Sequence, residues 1–145
     1  MRESGPWTYP IVNLTHLLGV ATLFGSILVL DLRLLGLWRR LPLHAIVSAV
    51  VPVAMTGLLV AALAGSAMLA DKATAYVGNP FLYIKFPAIA LGVLNAIAIR
   101  LTPAWQQIGK RDLSRREERQ LAVFGGVSMV CWVTAISMGR MIAYW

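Results

Sequence analysis

The sequence predicts an all-α integral membrane protein, a bundle of four transmembrane helices, and three observations carry this prediction. Of the 145 residues, 59% are hydrophobic and only 13% are charged, whereas soluble domains carry about 25% charged residues. The apolar residues gather into four stretches, each close to the ~20 residues that a helix needs to cross a bilayer. Most of the basic residues lie in the short segments between these stretches. We therefore expect a single transmembrane domain over residues 1–145.

The predicted spans cover residues 11–30, 45–70, 81–99 and 121–145. Asp31 and Arg33 mark the end of the first span, and Arg100 closes the third. Pro42 is suited to open the second helix, because proline fits the first helical position. The segment Gly78-Asn79-Pro80 is typical of a chain reversal, which predicts a tight turn before the third span.

The distribution of charge predicts how the helices are oriented. The first connection holds three basic residues and the third connection, with Arg100, holds six, whereas the N-terminus and the second connection hold only Arg2 and Lys72. Arginine and lysine in short loops stay on the cytoplasmic side. We therefore expect both termini outside, a bacterial inner membrane as the location, and basic connections that meet anionic lipid headgroups. Topology explains the net charge of +7 better than binding to nucleic acid does.

Ionisable side chains inside the spans mark the candidate site, because they are costly in lipid and are kept for a partner or a ligand. His16, Lys85 and Arg140 each lie about 6–9 Å from the outer end of a span, at 1.5 Å per residue. Met138 lies in the same layer of the fourth span. Haem b suits such a layer, with His16 as axial ligand and Lys85 and Arg140 as partners of the propionates. The second axial position stays open between Met138, the His16 of a second copy and no protein ligand.

The leading functional hypothesis is therefore a haem b-binding homo-oligomer that transfers electrons or senses a small ligand near the periplasmic face. A structural or accessory subunit is one alternative, since Lys85 and Arg140 can also snorkel to lipid headgroups. Handling or transport of copper ions by His16 and methionines is another. The absence of an acidic residue within the predicted spans argues against a proton-coupled carrier. Hydrolytic catalysis is disfavoured, because no serine, cysteine or carboxylate shares the layer of His16.

The remaining polar residues have structural interpretations. Asp31 and Arg33 are expected to pair at the cytoplasmic rim, and Asn95 to hydrogen-bond between helices. His44 begins the second helix at the opposite side of the membrane from His16, about 33 Å away along the first helix. His44 is therefore expected to be a residue of the cytoplasmic interface, and ligation of a second haem on that side is the alternative.

Spaced small residues predict where helix backbones approach each other in lipid. Two such pairs are Ala21 with Gly25 on the first span and Ala61 with Gly65 on the second. Cys131, the single cysteine, excludes an internal disulfide and a CxxC metal motif.

The chain also resembles an uncharacterised family of small bacterial four-helix inner-membrane proteins. The segments that carry the resemblance are Thr15-His16-Leu17-Leu18-Gly19, Phe24-Gly25-Ser26-Ile27-Leu28, Asp31-Leu32-Arg33-Leu34-Leu35-Gly36, Thr56-Gly57-Leu58-Leu59, Asn79-Pro80-Phe81 with Lys85, Asn95, and Gly139-Arg140-Met141-Ile142-Ala143-Tyr144. This likeness covers nearly the whole chain and implies the four-helix membrane fold. A looser likeness is to cytochrome b561-type and copper-resistance-type membrane bundles, which also place histidines on transmembrane helices. The chain departs from the b561 pattern of paired histidines, because its outer layer holds one histidine.

Overall fold

A computed structural model describes residues 5–71, 77–142 and 144, and it is a four-helix bundle, as the sequence predicts. The long helices are α1, Thr8–Leu34, α2, Leu43–Asp71, α3, Pro80–Leu101, and α5, Arg115–Ile142, and the short helix α4, Pro103–Gln106, precedes α5. All four long helices have the length and the apolar composition to cross a membrane. The chain is therefore a multi-pass membrane protein.

The helices extend beyond the predicted spans at the end of the bundle that carries the basic connections. We call this end, with its connections 35–42 and 102–114, the arginine-rich end. Helix α1 continues through Asp31 to Leu34, and α5 already begins at Arg115. Charged side chains do not stop a helix by themselves, so the helices continue past the predicted spans here. Arg2 and Lys72 of the charge count, and residues 143 and 145 of the predicted fourth span, lie outside the described residues.

The turn before α3 confirms the chain reversal predicted from Gly78-Asn79-Pro80. Gly78 adopts a φ of +84°, a left-handed conformation that glycine reaches without steric cost. The Asn79 side chain, only 1% exposed, accepts a hydrogen bond of 3.0 Å from the backbone N–H of Phe81. Pro80 follows as the first helical residue, so the local sequence fixes where α3 begins.

The bundle consists of two helix pairs. Helix α1 packs along α2, α3 packs along α5, and a smaller contact between α1 and α5 joins the pairs. Within the described part of the chain, α2 and α3 make no extensive contact with each other. We call this line the α2–α3 seam, and the residues that face it are Val51, Met55 and Leu58 on α2 with Val93, Ile97 and Arg100 on α3. The ring of helices is therefore closed on three sides and open along the fourth.

Glycines set the closest approach of α1 and α2. A Cβ placed on Gly57 would lie 2.6 Å from the backbone nitrogen of Leu23, and one on Gly19 would lie 2.6 Å from that of Ala61. The prediction that Ala61 and Gly65 lie at a helix contact is therefore confirmed, since Gly65 also lies against His16. The prediction was wrong for Gly25, around which a Cβ would meet nothing within 4 Å.

The arginine-rich end is closed by an apolar plug. Leu34, Ile99, Ala104 and Leu121 form a buried cluster, against which Trp105 of α4 packs. The third connection consists of the single turn of α4 and a loop.

The outward faces of the long helices are apolar at mid-span. Leu17 on α1 is 63% exposed, Leu63 on α2 65%, Leu91 on α3 58% and Val130 on α5 68%. Exposed apolar side chains on every long helix are the pattern expected where the surrounding solvent is lipid.

Candidate functional site

His16, the predicted axial ligand, faces α2. Its Nδ1 lies 2.8 Å from the backbone carbonyl oxygen of Ala61, and a Cβ on Gly65 would lie 3.0 Å from the imidazole Cε1. Since a carbonyl can only accept, Nδ1 carries the proton in this hydrogen bond, and Nε2 keeps its lone pair. A histidine that donates through one nitrogen to a carbonyl is oriented as metal-bound histidines are.

The other three predicted haem residues lie on the α3–α5 pair. The Lys85 ammonium lies against α5, 3.1 Å from where a Cβ on Gly139 would stand. Arg140 is exposed, and its Nη2 donates a hydrogen bond of 3.0 Å to the hydroxyl of Tyr144. Its guanidinium also stacks on that ring, 5.2 Å from the ring centroid. Met138, two residues before Arg140 on α5, is half-buried.

The structure therefore brings Lys85 next to the end of α5 that holds Met138 and Arg140. His16 instead faces α2, the helix with which α1 is paired. The Arg140 side chain is engaged by Tyr144, just beyond the end of α5. A haem in this layer stays a prediction.

His44 lies at the arginine-rich end, where the sequence placed it. Its ring lies against the loop after α4, and a Cβ on Gly109 would be 2.7 Å from the imidazole Nδ1. Among the residues that the structure describes, no three histidine, cysteine, aspartate or glutamate side chains gather as a group that could hold a metal ion.

A cavity of about 240 Å³ lies between all four long helices, in the half of the bundle towards the arginine-rich end. Aliphatic and aromatic side chains form most of its wall, and they include Leu23, Ile27, Leu30, Leu58, Phe124 and Trp132. Four polar side chains also line it: Asp31, Asn95, Arg100 and Ser128. A mostly apolar cavity with a few polar groups is the usual form of a small-molecule site.

Asp31 is the most unusual of these groups. Its side chain is only 3% exposed, and one carboxylate oxygen, Oδ2, has no hydrogen-bond partner among the residues that the structure describes. Ser128 of α5 lines the same cavity, and its hydroxyl interacts with the carboxylate. An ionised carboxylate that is buried without a counter-charge is costly, so such a group marks a place where a proton or a cation is bound.

Asn95 and Arg100 both lie on α3 and line the same cavity, and their side chains contact two other helices. The Asn95 side-chain amide donates a hydrogen bond of 3.0 Å to the Phe124 carbonyl of α5, which confirms the predicted bond between helices and leaves its Oδ1 as an acceptor. Arg100 is exposed, and its Nη2 lies 3.6 Å from the Met55 sulfur across the α2–α3 seam.

Two expectations about Asp31 were therefore wrong. Asp31 does not pair with Arg33, whose Nε donates instead to the Leu41 carbonyl at 3.1 Å, because residues two apart on a helix point in different directions. The spans also do contain an acidic residue, because α1 continues past Asp31 and the carboxylate faces the bundle interior. A proton-coupled carrier is therefore not disfavoured by a lack of acidic residues at membrane depth.

Comparison with protein-family models, with curated proteins and with solved structures gave no match to this chain. The resemblance to small four-helix inner-membrane proteins therefore stays an expectation, and the function must be argued from the site itself.

The spacing of apolar residues around Asp31 indicates that this side chain is buried, whereas its charge alone suggested a position at the rim. Leu23, Ile27, Asp31 and Leu34 follow one another at spacings of three and four, which places them on one face of a helix. Leu23 and Leu34 on this face are buried. The position of a carboxylate on the buried apolar face of a helix therefore predicts its burial better than its distance from the helix end does.

Proposed function

We propose that this protein binds a small ligand with a primary ammonium group inside the bundle, with Asp31 as the counter-charge. The observation that carries the proposal is the buried Asp31 carboxylate, which lines a cavity of about 240 Å³ and whose Oδ2 has no hydrogen-bond partner in the described part of the chain. Ionisable residues at membrane depth that face a cavity commonly mark substrate pathways. A protein with such a site would transport the ligand or sense it.

The chemistry of the wall favours an organic ammonium over a metal ion. Asp31, the Ser128 hydroxyl and the free Oδ1 of Asn95 all offer oxygen acceptors, and an ammonium supplies three donors. A hard divalent cation would ask for six or more oxygen ligands, while most of this wall is apolar. Phe124 and Trp132 also line the cavity, and aromatic rings attract cations. An empty cavity of about 150 Å³ holds benzene, so this one admits a somewhat larger body.

Hexylammonium is expected to stabilise the detergent-purified protein in a saturable way, and Asp31→Asn is expected to abolish the effect. A ligand that binds only the folded state raises its stability as its concentration exceeds Kd. Without ligand, Asp31→Asn should be as stable as the unchanged protein or more so, because it removes an uncompensated buried charge. The measurement is the thermal midpoint at neutral pH against hexylammonium concentration.

Two controls separate binding from partition into the micelle. Hexanol has the same chain without the charge and should give the same small shift in both proteins. Asp112→Asn, an exposed carboxylate in the loop before α5, should respond to hexylammonium as the unchanged protein does. An equal response of Asp31→Asn and the unchanged protein would show that the carboxylate is not the site.

We also propose the orientation and the location that the charges favour: a bacterial inner membrane, with the arginine-rich end in the cytoplasm. The described connections 35–42 and 102–114 hold Arg39, Arg40, Lys110 and Arg111, in agreement with the rule that basic short loops stay inside. Cysteine accessibility in spheroplasts tests this proposal. A residue of loop 102–114 that labels from outside intact cells would reverse it.

Haem b binding at His16 is a second proposal, supported by the orientation of the ring. With Nδ1 committed to the Ala61 carbonyl, Nε2 is the nitrogen that would bind iron. Lys85 on α3 and Arg140 on α5 would meet the propionates, and Met138, the His16 of a second copy or no protein side chain would take the second axial position. If the His16 of a second copy is the second axial ligand, the protein is a homo-oligomer, and its haem can transfer electrons near the periplasmic face.

Spectra of oxidised and dithionite-reduced protein, purified from cells supplied with haem precursor, test this second proposal. A Soret band is expected that His16→Ala removes and His44→Ala leaves unchanged, since His44 lies at the opposite end of the bundle. A protein that is folded and shows no Soret band does not bind haem.

A further inference from the structure

We infer that the ligand is a membrane lipid with a phosphoethanolamine headgroup, which enters through the α2–α3 seam and sets its ammonium on Asp31 and its phosphate on Arg100. This inference rests on the ammonium site proposed above. It adds the class of ligand, the route by which it arrives and a second recognition group. Four observations on different helices lead to it.

The first observation is the open side of the bundle. The cavity lies directly behind the α2–α3 seam, where residues from both helices line it. Met55 and Ile97 on the two sides are 56% and 51% exposed. An opening between two transmembrane helices faces lipid, so a lipid molecule reaches the cavity without crossing water.

The second observation is the apolar plug at the arginine-rich end. Ala104 and Leu121 are each 1% exposed, and Leu34 and Ile99 are each 7% exposed. Trp105 packs against this cluster and lines the cavity on the same side. A water-soluble amine coming from this end would have to displace the plug, whereas a ligand from the bilayer would not.

The third observation is the direction in which polarity changes along the cavity. Arg100, Asp31 and Asn95 lie about 2, 5 and 9 Å from the ends of their helices at the arginine-rich end, at 1.5 Å per residue. Leu23 and Leu58 lie about 16 Å and more from the same end. A ligand that fits this gradient has its polar group near the membrane surface and an apolar chain that points to the bilayer centre.

The fourth observation is that the wall carries both signs of charge. A simple amine would satisfy Asp31 but would leave Arg100, which lines the same cavity, without an anionic partner. A zwitterion with ammonium and phosphate satisfies both, and arginine is well suited to phosphate. Phosphocholine has the same charges, but its trimethylated nitrogen cannot donate hydrogen bonds to Asp31, Ser128 or Asn95. The acceptors therefore favour phosphoethanolamine.

The test is native mass spectrometry of the detergent-purified full chain with an equimolar mixture of phosphatidylethanolamine, phosphatidylcholine and phosphatidylglycerol of identical acyl chains. The unchanged protein should retain phosphatidylethanolamine at least about tenfold better than phosphatidylcholine, the factor expected for hydrogen bonds to a charged group. Asp31→Asn should remove this preference. Arg100→Gln should weaken retention of phosphatidylethanolamine and phosphatidylcholine alike. Asp112→Asn and Arg39→Gln, both exposed at the arginine-rich end, are the matched controls and should change nothing.

The outcomes separate this inference from the ammonium site on which it rests. Equal retention of the two zwitterionic lipids, with hexylammonium still dependent on Asp31, would overturn the lipid and keep the ammonium site. Indifference of both probes to Asp31→Asn would overturn both. A preference for phosphatidylglycerol would also overturn the inference, because that headgroup offers no ammonium. If Asp31→Asn does not fold, Ser128→Ala takes its place, since it removes the hydroxyl that holds the carboxylate.

Discussion

Replacing Gly57 with leucine is expected to separate α1 from α2 and to leave little folded protein. A Cβ at this position would lie 2.6 Å from the backbone nitrogen of Leu23 and 2.9 Å from the backbone oxygen of Gly19. These are backbone atoms that cannot turn away, unlike the end of a flexible side chain. Overpacking of a rigid contact costs about 1–3 kcal/mol for smaller insertions, and a whole leucine side chain here should exceed that range.

Gly25→Leu is the matched control, because it makes the same exchange on α1 at an exposed position where a Cβ meets nothing within 4 Å. Yield, monodispersity in detergent and the thermal midpoint by circular dichroism should be nearly unchanged in Gly25→Leu. Gly19→Leu should fail as Gly57→Leu does, because the two glycines form one contact from opposite sides. Equal stability of the Gly25 and Gly57 variants would mean that α1 and α2 are not packed in this way.

Much of the fold could be predicted from the sequence, because lipid imposes a simple rule on composition. A backbone in hydrocarbon must satisfy its own hydrogen bonds, so four long apolar stretches require four helices. The turn at Gly78-Asn79-Pro80 was equally predictable, because its glycine, its capping asparagine and its proline each favour one conformation.

The packing of the helices could not be predicted in the same way. Gly19, Gly25 and Gly57 are alike in sequence, yet two lie at a backbone contact and one faces outwards. The spacing of small residues allows a close approach but does not choose the partner helix. That choice depends on the whole bundle, including which side of it stays open.

The candidate site was predicted only in part, for a related reason. His16, Lys85 and Arg140 share a depth, which sequence gives directly, but depth does not say which way a side chain points. Asp31 was assigned to the rim because a charge near a span end is usually solvated. Its burial follows from its phase on α1, on the same face as Leu23 and Leu34, and from the Ser128 hydroxyl that α5 supplies.

Trp132 connects the stability of the bundle with the candidate site. Its side chain is 5% exposed, and its indole lies against α3, where a Cβ on Gly92 would be 2.9 Å from the indole Cε2. The same side chain lines the cavity of Asp31. Helix association in lipid depends on such packing contacts, because lipid offers little hydrophobic driving force between helices.

Trp132→Ala is therefore expected to destabilise the protein by about 3 kcal/mol, the lower end of the range for tryptophan truncation in a core. The lower end is appropriate because the transfer of the side chain from water to an apolar medium is already complete in the membrane. Chemical unfolding in mixed micelles, followed by circular dichroism, measures the change. Trp7→Ala, at a position 74% exposed, is the control of the same residue type and should change stability little. Trp132→Ala also enlarges the cavity. Folded Trp132→Ala protein should therefore bind ammonium ions bulkier than hexylammonium. If its preference among ammonium ions equals that of the unchanged protein, the ligand binds elsewhere.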